Sequence, residues 1–399
     1  MATMIAGELS PRVRQRLAAV LDANGLAPQH CVTLDGARAR LSAEPLPTAL
    51  LMPIESTGAR RFLSWLRSQQ RLGALTVLGI VDWPSEEDFQ RAFAAGVDDV
   101  VVEDDESGVL RRIRALASRA HRAEGRSASG RCLVQHPDQP RRASLGRALR
   151  QAGYDVTFAC SLEEVLDRLV LDPPGVVLVA EPQLWESVAQ AIEEARRVSE
   201  RPDLPFVVCV SELDAARLRA SSTPVLNVSL MQTQAGPSDA LFLVNRLLSS
   251  AVESNGRSSA RILYDTFCSI RPLDEPGTSR YAMTFNVSRG GLYVRTFDPV
   301  PRGSLVQLKL RPPRVGSTVE LVGRVAWTCA PGNGPTVTAP PGFGVELLRG
   351  ECLAAEWTRY QTAVALAEHE STVEFPFVRL RADDDECAPE EAPRIAGVA

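Results

Sequence analysis

The sequence predicts two consecutive α/β domains with doubly wound parallel sheets, followed by a small antiparallel β-barrel that carries a carboxyl-terminal helix. Three observations predict this fold class. An alternation of strand and helix patterns runs twice along the chain, short strands separated by Gly and Pro turns follow from about residue 262, and an amphipathic stripe comes after the last strand. The length of 399 residues suits two or three ordinary domains.

The first α/β domain is predicted over residues 1–122. Its strand candidates are 2–7, 31–34, 48–52, 76–81 and 98–102, and helical patterns separate them. In the first helix, predicted over 10–24, Ser10 suits the cap position, and Val13 and Leu17 share one face.

The same alternation starts again after a small, polar segment at 121–130 that predicts a linker. The second set of strands is predicted at 132–135, 156–160, 176–180, 206–210 and 225–228. The triplets Val32-Thr33-Leu34 and Val156-Thr157-Phe158 lie 124 residues apart and suggest equivalent strands. We therefore expect a second doubly wound domain over residues 130–252.

The last third of the chain has the pattern of a barrel. Strands are predicted at 262–270, 281–286, 292–296, 305–310, 319–327 and 342–347. A stripe that includes Trp357 and Tyr360 predicts an amphipathic helix over 351–367. We expect this third domain to span 256–368 and the acidic residues 371–399 to form a disordered tail.

Composition excludes several classes of function. A net charge of -5 at pH 7 gives no general attraction for nucleic acid or anionic lipid, and no apolar run approaches the ~20 residues of a membrane span. We therefore expect a cytoplasmic protein without a nucleic-acid partner and without membrane insertion. Eight cysteines form no CxxC pair, which argues against a metal site. The single lysine, Lys309, follows Leu308 and so belongs to no phosphate-binding GK[ST] loop.

Both α/β units resemble receiver domains of bacterial two-component response regulators, whose fold is flavodoxin-like. The best local match is the stretch GVDDVVVED at residues 96–104. The resemblance implies a phosphoryl-accepting aspartate after the third strand and a lysine after the fifth. The aspartate positions fall on Pro53 and Ala180, and the lysine position of the first unit falls on Glu103. Both units are therefore interpreted as pseudo-receivers that cannot be phosphorylated.

Acidic residues in these units allow a second interpretation. Glu181 beside Ala180, or Glu55 near Pro53, would be a permanent mimic of a phosphoryl group, although an ordinary polar strand end is favoured. The acidic run over residues 98–106 is a weak hint of a basic partner, although such runs are usually solvated faces.

Two short motifs flank the first strands of the predicted barrel. One is an RxxxR at a second predicted linker, residues 253–260, and the other is an NxSxxG after the second strand. Their defining residues are Arg257, Arg261, Asn286, Ser288 and Gly291. Together with GRVAW at 323–327 and GFGVEL at 342–347, these motifs resemble the PilZ domain. The resemblance implies that the five residues bind the bacterial second messenger cyclic di-GMP, with no cofactor, metal or catalytic residue.

The residue types suit that ligand. Arginine offers a bidentate fork to a phosphate or a guanine edge, while the Asn286 amide and the Ser288 hydroxyl offer directional hydrogen bonds. Gly291 would let the backbone approach a base. The alternative is an ordinary turn, for which Asn, Ser and Gly are preferred. Arg257 also follows Gly256 rather than a second basic residue, which departs from the family's usual pattern.

We therefore expect a non-enzymatic cyclic di-GMP effector that couples ligand binding to an unidentified protein partner through its receiver-like domains. Because Arg257 and Arg261 lie in the linker, we expect the ligand to order residues 254–262 and to change the interdomain geometry. The competing hypothesis is a constitutive scaffold whose barrel binds no nucleotide. The sequence decides neither for nor against a homo-oligomer.

Overall fold

The computed structural model describes residues 3–7, 9–43, 45–55, 58–69, 71–73, 75–122, 130–180, 185–211, 227–233, 235–250, 260–275, 277–330 and 339–374. These residues form two five-stranded parallel sheets and one antiparallel sheet that closes into a barrel. The predicted fold class is confirmed. No helix among the described residues is long and apolar enough to cross a membrane.

The first parallel sheet has the strand order β2-β1-β3-β4-β5. Its strands are β1 (Thr3–Ala6), β2 (Pro28–Cys31), β3 (Ala49–Pro53), β4 (Thr76–Val81) and β5 (Asp99–Val102). Its helices are α1 (Pro11–Asp22), α2 (Leu34–Leu41), α3 (Ala59–Ser68), α4 (Glu86–Ala95) and α5 (Glu106–Arg122). As predicted, Ser10 caps α1, and its hydroxyl accepts the Val13 N–H at 3.3 Å.

The strand predicted at 31–34 is wrong by three residues. The strand β2 ends at Cys31, and the Thr33 hydroxyl accepts the Gly36 N–H at 3.1 Å, so Thr33 caps α2 instead. The triplets at 32–34 and 156–158 are therefore not equivalent, because the second lies within a strand. The β-branched residues Val32 and Thr33 fit the pattern of a strand, but Thr33 is equally suited to cap a helix. The sequence pattern alone therefore did not distinguish the two.

The second parallel sheet repeats the winding of the first, with the order β10-β9-β8-β6-β7. Its strands are β6 (Arg131–Gln135), β7 (Asp155–Ala159), β8 (Val176–Val179), β9 (Phe206–Val210) and β10 (Val228–Gln232). Its helices are α6 (Gln139–Gln151), α7 (Leu162–Leu171), α8 (Trp185–Val198) and α9 (Pro237–Ser250). The strand predicted at 225–228 thus begins at the last of those residues and runs on to Gln232.

The barrel is built from six strands, to which one short strand is added. In chain order these are β11 (Ile262–Leu263), β12 (Phe267–Pro272), β13 (Arg280–Ser288), β14 (Gly291–Arg295), β15 (Leu305–Leu310), β16 (Val319–Cys329) and β17 (Gly342–Leu347). The β13–β14 pairing closes the ring β13-β12-β15-β16-β17-β14. The helix α10 (Ala354–Glu374) packs Tyr360 and Val364 into the barrel core.

Two details of this domain differ from the predictions. The strand predicted at 262–270 is broken, because the Thr284 hydroxyl accepts the Thr266 N–H at 3.0 Å and donates to the Tyr264 carbonyl. The helix α10 continues to Glu374, so the first four residues of the predicted tail are helical, and 375–399 lie outside the described residues. The domain boundaries at 1–122, 130–252 and 256–368 stay predictions.

A buried carboxylate connects the two α/β domains. Asp98, directly before β5, accepts hydrogen bonds from Arg67 at 2.9 Å and from the Val77 N–H at 2.7 Å within its own domain. It also accepts one from the Gln151 amide of α6 at 2.8 Å, and the Arg147 guanidinium of α6 lies 3.3 Å away. Its side chain is only 2% exposed. For this residue, the interpretation of the acidic run as a solvated face is wrong.

The neighbouring carboxylate, Asp99, connects the first domain to the barrel. It accepts the Phe297 N–H at 2.6 Å and the Thr296 hydroxyl at 3.2 Å, and it pairs with Arg112 of α5 at 3.0 Å. Arg111 of the same helix donates to Asp298 of the barrel segment at 2.8 Å. One pair of adjacent residues thus contacts both other domains.

Aromatic contacts extend this junction over the outer face of the barrel. Phe89 of α4 packs edge-on against Phe267 of β12, with ring centroids 5.1 Å apart. On the other side, Phe242 of α9 packs against Phe285 of β13 at 6.2 Å. Direct side-chain contacts therefore hold the domains together in addition to the linkers.

We expect Asp98→Asn to lower the free energy of unfolding by about 3 kcal/mol at pH 7, because it leaves buried arginines without a charged partner. Burial alone would raise the pKa of Asp98, but Arg147, Arg67 and the Val77 amide outweigh it and lower that pKa below its ordinary 3.8. A lowered pKa gives stability above about pH 4 that is lost as the pH falls further.

Urea unfolding at pH 7 and pH 3 tests this prediction. The difference between wild type and Asp98→Asn should shrink at the lower pH, while Asp167→Asn, at an exposed position on α7, should change stability by less than about 0.5 kcal/mol at either pH. A constant difference across the two pH values would contradict the assigned role of the Asp98 charge.

Candidate functional site

The NxSxxG motif begins in a strand. Asn286 and Ser288 belong to β13, and Ser288 pairs with Gly291, the first residue of β14. The turn itself therefore consists of Arg289 and Gly290 alone. Asn286 and Ser288 are each 7% exposed, so both are held by the sheet. The prediction that these two residues lie in the turn is wrong. The motif spans six residues, but the turn of the hairpin contains only two of them.

A β-bulge determines the face on which the motif lies. The register of β13 on β14 shifts between Thr284 and Asn286, which makes Phe285 the additional residue. Ala282 before the bulge and Val287 after it both pack into the barrel core, although they are five residues apart. Asn286 therefore projects from the outer face, beside Phe285.

Aromatic side chains lie next to Asn286 on this outer face. Asn286 pairs with Tyr293, Tyr293 with Gly344, and Gly344 with Trp327 across four neighbouring strands. The rings of Tyr293 and Trp327 stack with centroids 4.8 Å apart. A Cβ at Gly344 would collide with the Trp327 indole, so only glycine leaves room for the stack.

Arg261 lies at the edge of this face. It directly precedes β11, in which Ile262 pairs with Val287 and Leu263 with Asn286. Burial raises the pKa of the Tyr293 hydroxyl well above its ordinary value, and the nearby charge of Arg261 opposes that rise. Continuing this register, Arg261 lies at the level of Ser288, two residues from the position opposite Asn286. Arg257 lies outside the described residues, and its predicted place stays a prediction.

The helix α10 holds the rest of the motif. The Ser288 hydroxyl donates to the Gly291 carbonyl at 3.1 Å, and the Tyr360 hydroxyl donates to the Ser288 carbonyl at 2.9 Å. Burial of Tyr360 raises its pKa far above the ordinary value, so the hydroxyl stays protonated and remains a donor. Arg289 in the turn pairs with Glu368 of the same helix at 2.8 Å.

Asn286 differs from Ser288 in its hydrogen bonding. Among the described residues, the Asn286 side-chain amide has no hydrogen-bond partner, although little of the residue is exposed. Its amide atoms are not among the fully buried side-chain atoms that lack a partner, so they keep some contact with solvent. Of the two polar side chains of the motif, the Ser288 hydroxyl is thus bonded within the barrel and the Asn286 amide is not.

Gly291 has a structural role that does not involve a ligand. A Cβ at this position would collide with the carbonyl oxygen of Val345 on β17. The close approach of β14 and β17 therefore requires glycine at this position whether or not a ligand binds. A loss of binding in a Gly291 variant would consequently report on barrel packing as well as on ligand contact.

The receiver-like units have no phosphoryl acceptor at the expected positions. Pro53 is the last residue of β3, and Ala180 directly follows β8. Glu103 follows β5, where burial and a hydrogen bond with Asp82 raise its pKa. Glu181 lies outside the described residues. Within the described part of the chain, no cluster of His, Cys, Asp or Glu side chains is suited to hold a metal ion.

We expect Gly291→Ala to lower the free energy of unfolding of the barrel by about 2 kcal/mol through overpacking against Val345. Gly316→Ala is the matched control, because a Cβ at Gly316 meets nothing within 4 Å. The control should change stability by less than about 0.5 kcal/mol. Equal thermal unfolding midpoints for the two variants would show that the β14–β17 contact tolerates a methyl group.

One family model and several solved structures are similar to parts of this chain. The PilZ domain model matches residues 255–351. A search of curated proteins found no significant match. Among solved structures, the chain is similar to the motility inhibitor MotI/DgrA of Bacillus subtilis at 18% identity and a TM-score of 0.24, covering 29% of this chain and 52% of that one. The chain thus spans about half of the MotI/DgrA chain.

Two further solved structures match separate parts of the chain. A receiver domain of a histidine kinase from Syntrophus aciditrophicus is 19% identical with a TM-score of 0.28, and 32% of this chain covers 96% of it. The PilZ domain of YcgR from Escherichia coli, solved with c-di-GMP, is 15% identical with a TM-score of 0.23, and 30% of this chain covers 95% of it. The resemblance predicted from the motifs is confirmed: residues 255–351 of this chain form a PilZ domain that follows two α/β domains.

Proposed function

We propose that this protein is a non-enzymatic cytoplasmic effector that binds cyclic di-GMP at the outer face of its PilZ barrel. The observation that carries the proposal is the approach of Arg261 to the strand of the NxSxxG motif. The β11–β13 pairing puts Leu263 opposite Asn286, so the same register continues to Arg261 at the level of Ser288, and the bulge at Phe285 turns Asn286 to the same outer face.

The chemistry of the face supports a cyclic dinucleotide. Arg261 is exposed and offers a bidentate donor to a phosphodiester or to a guanine edge. The Asn286 amide offers one donor group and one acceptor to the same base. Arg257, four residues before Arg261, is the second arginine of the proposed site. No nucleophile or general base is needed, because the proposed event is binding alone.

The position of the site also supports coupling to the α/β domains. Asn286 directly follows Phe285, which packs against Phe242 of α9 in the second α/β domain. A ligand bound at Asn286 would therefore lie beside an interdomain contact. Through this contact, binding would alter a surface that the receiver-like domains present to a protein partner.

A constitutive scaffold is the second candidate. The buried bonds of Asp98 and Asp99 favour it, because they hold the three domains together without a ligand. The two candidates differ in whether the barrel binds nucleotide at all.

Calorimetric titration of the full-length protein separates them. We expect wild type to bind cyclic di-GMP and Arg261→Ala to weaken binding by about tenfold to a hundredfold, since a hydrogen bond to a charged group contributes ~1.5 to 3 kcal/mol. Asn286→Ala removes hydrogen bonds between neutral groups, which contribute ~0.5 to 1.5 kcal/mol, and should weaken binding by about twofold to tenfold. Arg271→Ala, at an exposed position on β12, should bind like wild type. Absence of binding by wild type at millimolar ligand would favour the scaffold.

Neither receiver-like unit should accept a phosphoryl group. Pro53 and Ala180 supply no carboxylate at the acceptor positions, and Glu103 repels phosphate where a lysine would attract it. Incubation with acetyl phosphate and magnesium should leave the intact mass unchanged, with an active receiver domain as the positive control. A hydroxylamine-sensitive gain of one phosphoryl group would contradict this expectation.

A further inference from the structure

We infer that the second α/β domain competes with cyclic di-GMP for the outer face of the barrel. The structure then represents a closed arrangement, in which Phe242 of α9 contacts Phe285 and the ligand is excluded. This inference rests on the proposed function. It assigns a regulatory role to the contact between α9 and the barrel.

The side chains around Asn286 form a largely apolar surface. Phe285 precedes Asn286 in the chain, Leu263 lies opposite it on β11, and Tyr293 lies opposite it on β14. Residues directly opposite each other in neighbouring strands lie on the same side of a sheet. An amide among aromatic and aliphatic side chains suits a nucleobase, whose edge forms hydrogen bonds while its face stacks on a ring.

The second domain covers this surface in the structure. Phe285 and Tyr293 are only 2% and 1% exposed, and both belong to a hydrophobic core cluster that contains Leu241 and Val244 of α9. Leu263 packs against the same cluster. The surface around the motif is therefore continuous with the core of the second domain.

Two direct contacts hold α9 against the barrel. The rings of Phe242 and Phe285 meet edge-on with centroids 6.2 Å apart. Arg295, the last residue of β14, donates a hydrogen bond to the Ser238 hydroxyl at 2.8 Å. The Arg295 guanidinium also lies over the Phe93 ring of the first domain, 3.9 Å from its centroid. The first turns of α9 are thus attached to the barrel at two points.

The closed arrangement leaves too little room for the ligand. Cyclic di-GMP carries two guanine bases on a ring of two ribose phosphates, whereas Asn286 is only 7% exposed beneath the second domain. A base can therefore stack beside Asn286 only in an open arrangement, from which α9 has moved away. The apparent affinity is then reduced in proportion to the fraction of molecules that are open, and binding favours the open arrangement.

The first domain should stay on the barrel when the second domain is released. Phe297 of the barrel lies in the core cluster of the first domain with Val101, and its N–H donates to Asp99 at 2.6 Å. The second domain meets the first through polar contacts such as that of Asp98 with the Gln151 amide at 2.8 Å. Release would therefore move the second domain relative to a unit formed by the first domain and the barrel.

Titration of full-length variants with cyclic di-GMP tests the competition. We expect Phe242→Ala to tighten binding by about threefold to tenfold, because it removes an aromatic contact of the closed arrangement. Ser238→Ala removes the hydrogen bond from Arg295 and should tighten binding by about twofold or more. Leu171→Ala, at an exposed position on α7, is the matched control and should bind like wild type.

Small-angle X-ray scattering gives a second measurement. Saturating cyclic di-GMP should increase the radius of gyration of wild type, because the second domain leaves the barrel. A radius of gyration that stays the same at saturation would contradict the release of the domain.

The outcomes separate this inference from the proposed function. If neither wild type nor Phe242→Ala binds cyclic di-GMP, the proposed function fails. If wild type binds, Arg261→Ala is weakened and neither Phe242→Ala nor Ser238→Ala binds more tightly, the proposed function stands and the competition is wrong. Thermal midpoints without ligand show whether Phe242→Ala stays folded. If it unfolds, the affinity of Ser238→Ala and the scattering of wild type decide.

Discussion

Two adjacent buried carboxylates, Asp98 and Asp99, hold this molecule in one arrangement. Successive residues entering a strand point in opposite directions, so one dipeptide reaches α6 of the second domain with one side chain and the barrel with the other. A buried carboxylate is stable only when paired, and each of these has an arginine and at least one backbone N–H.

The candidate site depends on an irregularity within the barrel. Regular alternation along β13 would have put Asn286 in the barrel core, where an unpaired amide is costly. The bulge at Phe285 reverses the alternation, so the same residue reaches the outer face beside Tyr293. Glycines at 291 and 344 then let strands or rings approach more closely than any side chain would permit. Local backbone geometry, more than residue type, thus decides which side chains lie on this outer face.

The fold class and the motif residues could be predicted from the sequence because both are local patterns. Apolar periodicity identified the parallel sheets and the barrel, and the paired motifs identified the PilZ domain. The bulge at Phe285 could not be predicted, because register is decided between strands rather than along one. Burial of Asp98 was missed for the same reason, since its partners Gln151 and Arg147 lie in another domain. Tyr293 and the other aromatic residues on the outer face of the barrel could not be singled out, because in the sequence they fit the ordinary alternation of a strand.

The contacts of Asp98 and Asp99 also limit how ligand binding could change the arrangement of the domains. Ordering of residues 254–262 would change the interdomain geometry only if the linker were the main connection between the domains. The bonds of Asp98 and Asp99 connect them independently of the linker, so a ligand acts on domains that already touch. A ligand shifts a conformational equilibrium only through a difference in its affinity for the two states. Binding at Asn286 would therefore be coupled to the domain arrangement only through a difference in affinity between the arrangement in which Phe242 meets Phe285 and one in which it does not.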